Sequence, residues 1–311
     1  MFWLSLGLAL ALSGCATTPE STDDKAGAEN TAAQVQSDLL QGDQAYRRGN
    51  TDQALFHYVT ALNLDPDNTD LLYRIGMVHS ENGDLDAADQ AFSQILALNP
   101  EHAGALEGHG LVLLRQRKYD AAKEVLEKAV RLEQGRWRAQ NGLGVISDIE
   151  NDHALAITYY QLALEQRPGT PMVLNNLGYS YYLAGDWRSA EKAFNQAVNR
   201  EPDHKKTWSN LGMLYVRKGR YDEAVQALSR VMSEPEAYNT MGYICMLEGK
   251  FDRAEAFFEE AIRLSPSYYQ AAHENLARAR ARAAGKTRDE AETGHAYGLE
   301  VDNPAAAGNL P

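Results

Sequence analysis

Apolar residues recur along most of the chain at spacings of three and four, which is the pattern of helices with one buried face. These stretches repeat with a period of 34 residues, and each unit carries a glycine at the same place. Six such anchor glycines are 34 residues apart, and a seventh follows after 30: Gly42, Gly76, Gly110, Gly144, Gly178, Gly212 and Gly242. The shared register predicts a chain built from stacked copies of one supersecondary unit.

Small and large residues follow each anchor glycine in a constant order. An alanine lies twelve residues later in every unit: Ala54, Ala88, Ala122, Ala156, Ala190, Ala224 and Ala254. Four residues further lies a large apolar residue: Tyr58, Phe92, Leu126, Tyr160, Phe194, Leu228 and Phe258. We expect glycine and alanine where two helices approach closely, because a larger side chain would hold the two backbones apart.

A second glycine predicts the turn between the two helices of a unit, helix A and helix B, because glycine adopts positive φ without strain. It lies seven residues after five anchors: Gly49, Gly83, Gly185, Gly219 and Gly249. Arg117 and Asn151 take its place in the third and fourth units. Proline ends five of the units. The pattern predicts seven helical hairpins over residues 35–268, with a shortened sixth unit, and a capping helix over 269–284.

This arrangement resembles the tetratricopeptide repeat. The resemblance implies an all-α solenoid of seven helix-turn-helix repeats plus the capping helix, with the A helices lining a concave face. With the anchor glycine as position eight, the exposed positions of that family include five, nine and twelve. From these positions we expect a peptide-binding groove lined by Tyr46, Tyr73, Met77, Leu111, Leu114, Asn141, Val145, Asn175, Tyr179, Tyr182, Met213, Val216, Asn239, Tyr243 and Met246.

Aromatic rings, adaptable methionines and amide groups suit an amphipathic helix or an extended peptide as the ligand. The alternative is that the same side chains pack between adjacent A helices. We favour binding for the C-terminal part of the set. Arg138 and Lys206 either pair with acidic groups of a ligand or remain solvated charges.

The first fifteen residues, MFWLSLGLALALSGC, hold an apolar run that is too short to span a bilayer but typical of a signal peptide. Small residues before Cys15 resemble the bacterial lipobox. The resemblance implies a lipoprotein signal peptide over 1–14, lipidation of Cys15 and a flexible tether over 15–34. Because Ala16 follows in place of aspartate, it further implies the periplasmic face of the outer membrane. An ordinary secretory signal is the alternative. We expect the polar segment 285–311 to be disordered.

Charge and composition exclude several classes of function. Thirty basic against 43 acidic residues give a net charge of −13, which argues against a nucleic-acid partner. The eight histidines show no zinc-binding spacing, and we expect Cys245 to be a buried, inert thiol. We find no catalytic constellation. The sequence therefore predicts a protein without enzymatic activity, cofactor, metal or small-molecule substrate, whose partner is another protein.

The lipobox, the seven repeats and the C-terminal block around residues 237–279 together resemble the TadD lipoproteins of Flp/Tad-type pilus systems. The PilF and PilW pilotins of type IV pili share this plan more distantly. The resemblance implies an outer-membrane scaffold that captures a segment of a secretin, or of another pilus component, in its groove. The alternative is a cell-envelope adaptor that gathers peptidoglycan enzymes or outer-membrane assembly proteins.

Overall fold

The computed structural model describes residues 22–285, which form fifteen α-helices, and this range contains no β-strand. The helices are α1 Thr22–Arg47, α2 Thr51–Leu64, α3 Thr69–Asn82, α4 Leu85–Leu98, α5 Ala103–Arg115, α6 Tyr119–Leu132, α7 Trp137–Ile149, α8 His153–Gln166, α9 Pro171–Leu183, α10 Trp187–Arg200, α11 Lys205–Arg217, α12 Tyr221–Leu228, α13 Glu234–Leu247, α14 Phe251–Leu264 and α15 Gln270–Ala283. Odd-numbered helices up to α13 are the A helices of seven hairpins, and even-numbered helices are the B helices. The predicted all-α repeat fold is confirmed.

The chain divides into two compact units, and the boundary lies after Leu71 in the first turn of α3. The first unit contains the hairpin of α1 and α2. Its core is formed by Ala45, Ala54, Tyr58 and Ala61, each of which is buried. The Tyr58 hydroxyl donates to the carboxylate of Asp43 at 2.7 Å, so the buried ring also has its polar group paired.

The second unit is a stack of hairpins in which helices contact their neighbours in the chain. Successive A helices also contact each other directly, namely α5 with α7, α7 with α9, α9 with α11 and α11 with α13, and α13 contacts the capping helix α15. The middle of the stack is closely packed, since all ten residues from Ala139 to Asp148 in α7 are buried. Because these helices are buried on nearly every side, an A helix here has little surface left for solvent.

Close approach of the two helices of each hairpin explains the anchor glycines. A β-carbon placed on any of the seven would lie between 2.4 and 2.8 Å from the large apolar side chain sixteen residues later. The contacts are Gly42 with Tyr58, Gly76 with Phe92, Gly110 with Leu126, Gly144 with Tyr160, Gly178 with Phe194, Gly212 with Leu228 and Gly242 with Phe258. The spacing that predicted helix–helix contact in the sequence is therefore the spacing of a van der Waals contact in the fold.

The turn between helix A and helix B requires a residue with positive φ, seven positions after the anchor glycine, whichever side chain that residue carries. Gly185 has φ of 81°, and Arg117 and Asn151 adopt φ of 61° and 63° at the equivalent position. The amide of Asp152, the next residue, donates to the carbonyl of Ser147 at 2.8 Å and closes the turn. The same turn geometry therefore occurs in the two repeats that lack the glycine.

The sixth hairpin has a short B helix, as the 30-residue step predicts. Helix α12 has eight residues, whereas the other B helices have fourteen. It ends at Leu228, and α13 begins at Glu234 after a capping box in which Ser233 and Glu236 bond each other's backbone.

The expected tether differs from the structure in its second half. Helix α1 begins at Thr22, so residues 22–34 continue the first A helix instead of forming a flexible segment. Alanine and glutamine are strong helix formers, and they recur from Ala26 to Gln36, while Asp23 and Asp24 suit the first turn of a helix. Helix α15 lies within the range expected for the capping helix. The signal peptide, Cys15, residues 15–21 of the tether and the tail beyond Gly285 lie outside the described residues.

Candidate functional site: the inner face of the A helices

The fifteen residues predicted to line a groove all lie on A helices, Tyr46 in the first unit and the others in the second. Nine are buried within the chain itself: Leu111, Leu114, Asn141, Val145, Asn175, Tyr179, Tyr182, Val216 and Met246. Six are half-buried: Tyr46, Tyr73, Met77, Met213, Asn239 and Tyr243. The structure thus covers nine of the fifteen side chains within the fold and leaves six partly accessible.

Direct contact between successive A helices is the physical reason for this burial. Leu111, Leu114 and Val145 belong to one core cluster that also contains Leu126 and Tyr160. Val216 and Met246 belong to a second cluster around Phe258. Side chains at positions nine and twelve therefore fill the space between neighbouring A helices, which is the packing alternative recognised in the sequence. A role of these residues in binding stays a prediction.

The asparagines at position five bond the next repeat. Asn176 donates its side-chain amide to Asn141 Oδ1 at 3.1 Å, and Asn210 donates to Asn175 Oδ1 at 2.9 Å. At the end of the stack, Asn275 of the capping helix α15 donates to Asn239 Oδ1 at 3.0 Å. The first two pairs join position five of one repeat to position six of the next, and the third joins position five of the seventh repeat to the capping helix. The amide oxygens that we expected to meet a ligand backbone are engaged within the fold.

This ladder of asparagines was missed in the sequence analysis, although the sequence contains a signal for it. The paired residues are 35 or 36 positions apart, which is one or two more than the repeat length of 34. Thr207 adds a donor to the same oxygen of Asn175 at 3.1 Å. Asparagines that recur about one repeat length apart indicate a hydrogen bond between neighbouring repeats, because a buried side-chain amide without a partner would be unfavourable.

An aromatic pair lies at the centre of the C-terminal repeats. The rings of Tyr179 and Tyr182 stack with 6.0 Å between their centroids, and Arg217 of the next repeat lies 4.8 Å from the Tyr182 ring. Arg217 Nε is also 3.2 Å from a carboxylate oxygen of Glu248. Burial raises the pKa of Tyr182 to about 12. The hydroxyl therefore remains protonated across the physiological range.

Accessible apolar side chains occur in the same repeats as that pair. Met213 packs against the core clusters of both the fifth and the seventh repeat and remains half-buried, as does Tyr243. Leu183 and Leu247, the last residues of α9 and α13, are 40% and 59% exposed at equivalent register positions. We call Leu183, Met213, Tyr243 and Leu247 the C-terminal apolar set. The two leucines were missed because their position, thirteen, was not among those considered.

A polar cluster occupies the inner face of the second to fourth repeats. The Glu107 carboxylate is buried, accepts the backbone N–H of Ala139 at 3.2 Å and lies 3.7 Å from Arg136 Nη1. Burial raises the pKa of Glu107, against the opposing effect of Arg136 and Arg138. The Tyr73 hydroxyl has its pKa raised by burial and by the nearby Glu107 charge. Charge and hydrogen bonding here hold three repeats in register.

Asp148 is a second buried carboxylate, at position twelve of the fourth repeat. It accepts hydrogen bonds from the hydroxyls of Tyr160 and Ser180 and lies 2.9 Å from His153 Nδ1. Burial raises its pKa, while these hydrogen bonds act in the opposite direction. The residue joins α7, α8 and α9, so its role in the structure is to connect two repeats.

The described residues contain no group of three or more histidine, cysteine or carboxylate side chains placed to hold a metal ion. Cys245 is buried, and burial raises the pKa of its thiol to about 11. Between residues 22 and 285 no helix combines the length and the apolar character needed to cross a bilayer.

Comparison with known proteins agrees with this description. Family models described as tetratricopeptide repeat match residues 45–109, 107–171, 175–237 and 235–268. A search of curated proteins gives no match.

Solved structures share the fold at low sequence identity. PilF of Pseudomonas aeruginosa is 19% identical with a TM-score of 0.52, and the match covers 81% of this chain and 99% of PilF. PilW, a type IV pilus biogenesis factor, is 18% identical with a TM-score of 0.58, over 64% of this chain and 96% of PilW. The APC/C hetero-tetramer Cut9-Hcn1 is 20% identical with a TM-score of 0.61, over 77% of this chain and 48% of that chain.

Proposed function

The chain belongs to the tetratricopeptide repeat family, a family of protein-interaction scaffolds, and we propose that it is a pilotin-like assembly factor of a Flp/Tad-type pilus. In this proposal a lipid on Cys15 anchors the protein to the periplasmic face of the outer membrane. The inner face of the fifth to seventh repeats holds a segment of a secretin subunit, or of another pilus component, and helps it to localise and assemble.

The C-terminal apolar set is the observation that carries the proposal. Leu183 and Leu247 expose large apolar side chains, and Met213 and Tyr243 are only half-covered by the chain. Apolar surface of this kind on a folded protein is typical of an interaction site. Methionine adapts its shape to a ligand, and tyrosine adds a hydroxyl that orients it, so the set suits an amphipathic segment of a protein.

Two further observations favour a pilus component as the partner. The fold is shared with PilF and PilW, and PilW is a type IV pilus biogenesis factor. The lipobox-like segment Leu12–Cys15 adds an address that the fold itself does not provide. A scaffold with a lipid anchor and a peptide-binding face has the two elements needed to bring a secretin segment to the membrane.

Site-specific photocrosslinking in the native envelope tests the proposal. A p-benzoyl-phenylalanine in place of Tyr243 should form a crosslink to the secretin or another pilus component. The same probe in place of Ala256, an exposed residue on the outer side of α14, is the control and should not. Crosslinks to peptidoglycan enzymes alone, or equal secretin crosslinks at both positions, would contradict the proposal.

A functional readout complements the crosslink. We expect Met213→Ser with Tyr243→Ser to lower the amount of assembled secretin in the outer membrane, because both changes remove apolar contact area. Helicity measured by circular dichroism should stay near that of the parent. Normal secretin assembly in a strain that carries the folded double variant would count against this face as the binding site.

A further inference from the structure

Helix α2, in the first unit, exposes two large apolar residues at positions where the other repeats carry polar residues or, in one case, alanine. Phe56 stands at position 22, which is occupied in the later repeats by Gln90, Glu124, Thr158, Lys192, Gln226 and Ala256. Val59 stands at position 25, which is occupied by Ser93, Glu127, Gln161, Asn195, Ser229 and Glu259. Because the repeats share one fold, these counterparts show that the fold does not need an apolar residue at either position.

Both side chains are open to solvent. Phe56 is 67% exposed and Val59 is 43% exposed, and Leu64 at the end of the same helix is also 43% exposed. Phe56 and Val59 are three residues apart, so they lie on one face of α2. We call Phe56 and Val59 the α2 apolar stripe.

The ring of Phe56 packs against a side chain that is itself held by hydrogen bonds. It meets the imidazole of His57 edge-on, with 5.3 Å between the ring centroids. His57 Nδ1 lies 3.0 Å from Asp38 Oδ1 on α1, and Gln34 donates to the other oxygen of Asp38 at 2.8 Å. The half-buried imidazole beneath the exposed ring is therefore fixed by two residues of the neighbouring helix. A pre-positioned aromatic residue is a favourable anchor for a partner, because little side-chain entropy remains to be lost on binding.

Charge around the stripe identifies the kind of partner. Asp52 lies one turn before Phe56 on the same face, and Asp65 and Asp67 follow Leu64; all three are exposed. Between residues 49 and 73 the sequence contains no lysine or arginine. An apolar stripe with carboxylates at both ends is complementary to an apolar helix face with basic residues at its ends.

We propose that the α2 apolar stripe docks an amphipathic helix of a partner protein whose apolar face is flanked by lysine or arginine. A second copy of this chain is disfavoured as the occupant, because an antiparallel α2–α2 contact would bring Asp52 of one copy toward Asp65 of the other. This docking face shares no residue with the C-terminal apolar set. The chain therefore offers two binding faces, and this inference goes beyond the proposed function and does not depend on it.

A designed helical peptide with a leucine stripe and lysine flanks is the probe, and the same peptide with glutamate flanks is its charge-reversed counterpart. The protein is the full chain with Cys15→Ser, so that no lipid contributes to binding. We expect the lysine peptide to bind, with an affinity that falls as salt is raised, and the glutamate peptide not to bind. Fluorescence anisotropy of the labelled peptides measures both.

The variants introduce residues that other repeats of this chain carry at the equivalent positions. Phe56→Gln with Val59→Ser reproduces Gln90 and Ser93 of the second repeat, so the fold should be retained. We expect this variant to bind the lysine peptide about tenfold more weakly or worse. Leu155→Gln removes an exposed leucine from the outer face of α8 and is the matched control, with unchanged affinity expected.

Several outcomes would overturn the inference. Equal affinity of the lysine peptide for the parent and the Phe56/Val59 variant would show that the stripe does not take part in binding. A dimer in analytical ultracentrifugation that is lost in this variant would identify a second copy as the occupant. Binding of zwitterionic phosphatidylethanolamine–phosphatidylcholine vesicles that requires Phe56 would identify a membrane surface instead.

Discussion

Gly178 lies so close to the ring of Phe194 that a β-carbon on the glycine would be 2.6 Å from the nearest ring atoms. The two residues belong to α9 and α10, the helices of the fifth hairpin. Contact at this distance leaves no space for any side chain at position 178. The ring is fully buried, so it has little freedom to move away.

Gly178→Ala should therefore destabilise the protein by about 1–3 kcal/mol, the usual effect of overfilling a packed core. The sign is informative because the same change in a helix with free space stabilises by about 1 kcal/mol. Urea unfolding followed by circular dichroism measures the difference in the free energy of unfolding.

Two comparisons make this prediction specific to the Phe194 contact. In the background of Phe194→Ala the added methyl group has space, so Gly178→Ala should lose most of its destabilising effect. Gly135→Ala is the control, because a β-carbon there would have its nearest neighbour at 3.8 Å. A loss of stability at Gly135 equal to that at Gly178 would contradict the steric explanation.

The hairpin contact was predictable from the sequence because it depends on residue size at a fixed spacing. Gly178 and Phe194 are sixteen residues apart, and the same pair of sizes recurs in every repeat. The turn after helix A was predictable for the same kind of reason, since five glycines mark it. Repetition makes such local features stand out without any knowledge of how the repeats stack.

Arg117 offers a test of the turn. It adopts a φ of 61°, where a residue with a β-carbon is strained by about 1–2 kcal/mol. We expect Arg117→Gly to raise the free energy of unfolding by about 0.5–1 kcal/mol, because the strain removed exceeds the added entropy of the unfolded chain. Gly185→Ala, at the same turn position in the fifth repeat, should have the opposite effect. A destabilised Arg117→Gly would show that the arginine side chain contributes more than the strain it carries.

The hydrogen bond from Asn176 to Asn141 can be tested by a double-mutant cycle. Each single change to alanine leaves one buried partner without its hydrogen bond, so each should destabilise by about 1–3 kcal/mol. The double variant should lose less than the sum of the two, because neither partner remains unsatisfied. Asn199→Ala, at an exposed position on α10, is the control and should change stability by less than about 0.5 kcal/mol. Strict additivity of Asn141→Ala and Asn176→Ala would argue against a direct bond.

Stacking of the repeats is what the sequence did not reveal. The apolar period of a single helix shows which residues are apolar, but it does not show how near the next A helix lies. Val145 and Val216 occupy positions nine and twelve, which looked accessible from the repeat pattern, yet both are fully buried between helices. Asn175 was expected to face a ligand for the same reason. The distance between repeats depends on contacts among residues about 35 positions apart, and a local pattern does not contain that distance.

Stability should depend on pH through Glu107. Burial raises the pKa of this carboxyl above its ordinary value of 4.5, so the folded state binds the proton more tightly than the unfolded state. Its contribution to stability is therefore complete below the ordinary pKa and is lost as pH rises through the folded pKa. Glu107→Gln removes this dependence, and the variant should become more stable relative to the parent as pH rises above the ordinary pKa of a glutamate.

Glu191→Gln should change the pH dependence of stability in the opposite direction. Burial raises the pKa of Glu191, but hydrogen bonds from Lys218 and Arg220 outweigh it and hold the pKa below its ordinary value. This carboxylate stabilises the protein above its ordinary pKa and loses that effect as pH falls, so the Gln variant should be less stable than the parent near neutrality. Thermal unfolding from acidic to neutral pH compares the two variants. Parallel curves for Glu107→Gln and the parent would contradict the assigned shift.

The proposed lipid anchor on Cys15 is testable without any knowledge of the partner. Two or more acyl chains hold a protein stably on a membrane, whereas the described helices contain none that could span one. Cys15→Ser should therefore move the protein from the outer-membrane fraction to the soluble periplasmic fraction. Cys245→Ala is the matched control, since that thiol is buried in α13 and should not affect fractionation.

Metabolic labelling with an alkyne fatty acid should mark the parent and the Cys245 variant but not the Cys15 variant. Retention of the Cys15→Ser protein in the outer membrane, with no label, would show that protein contacts and not a lipid hold it there.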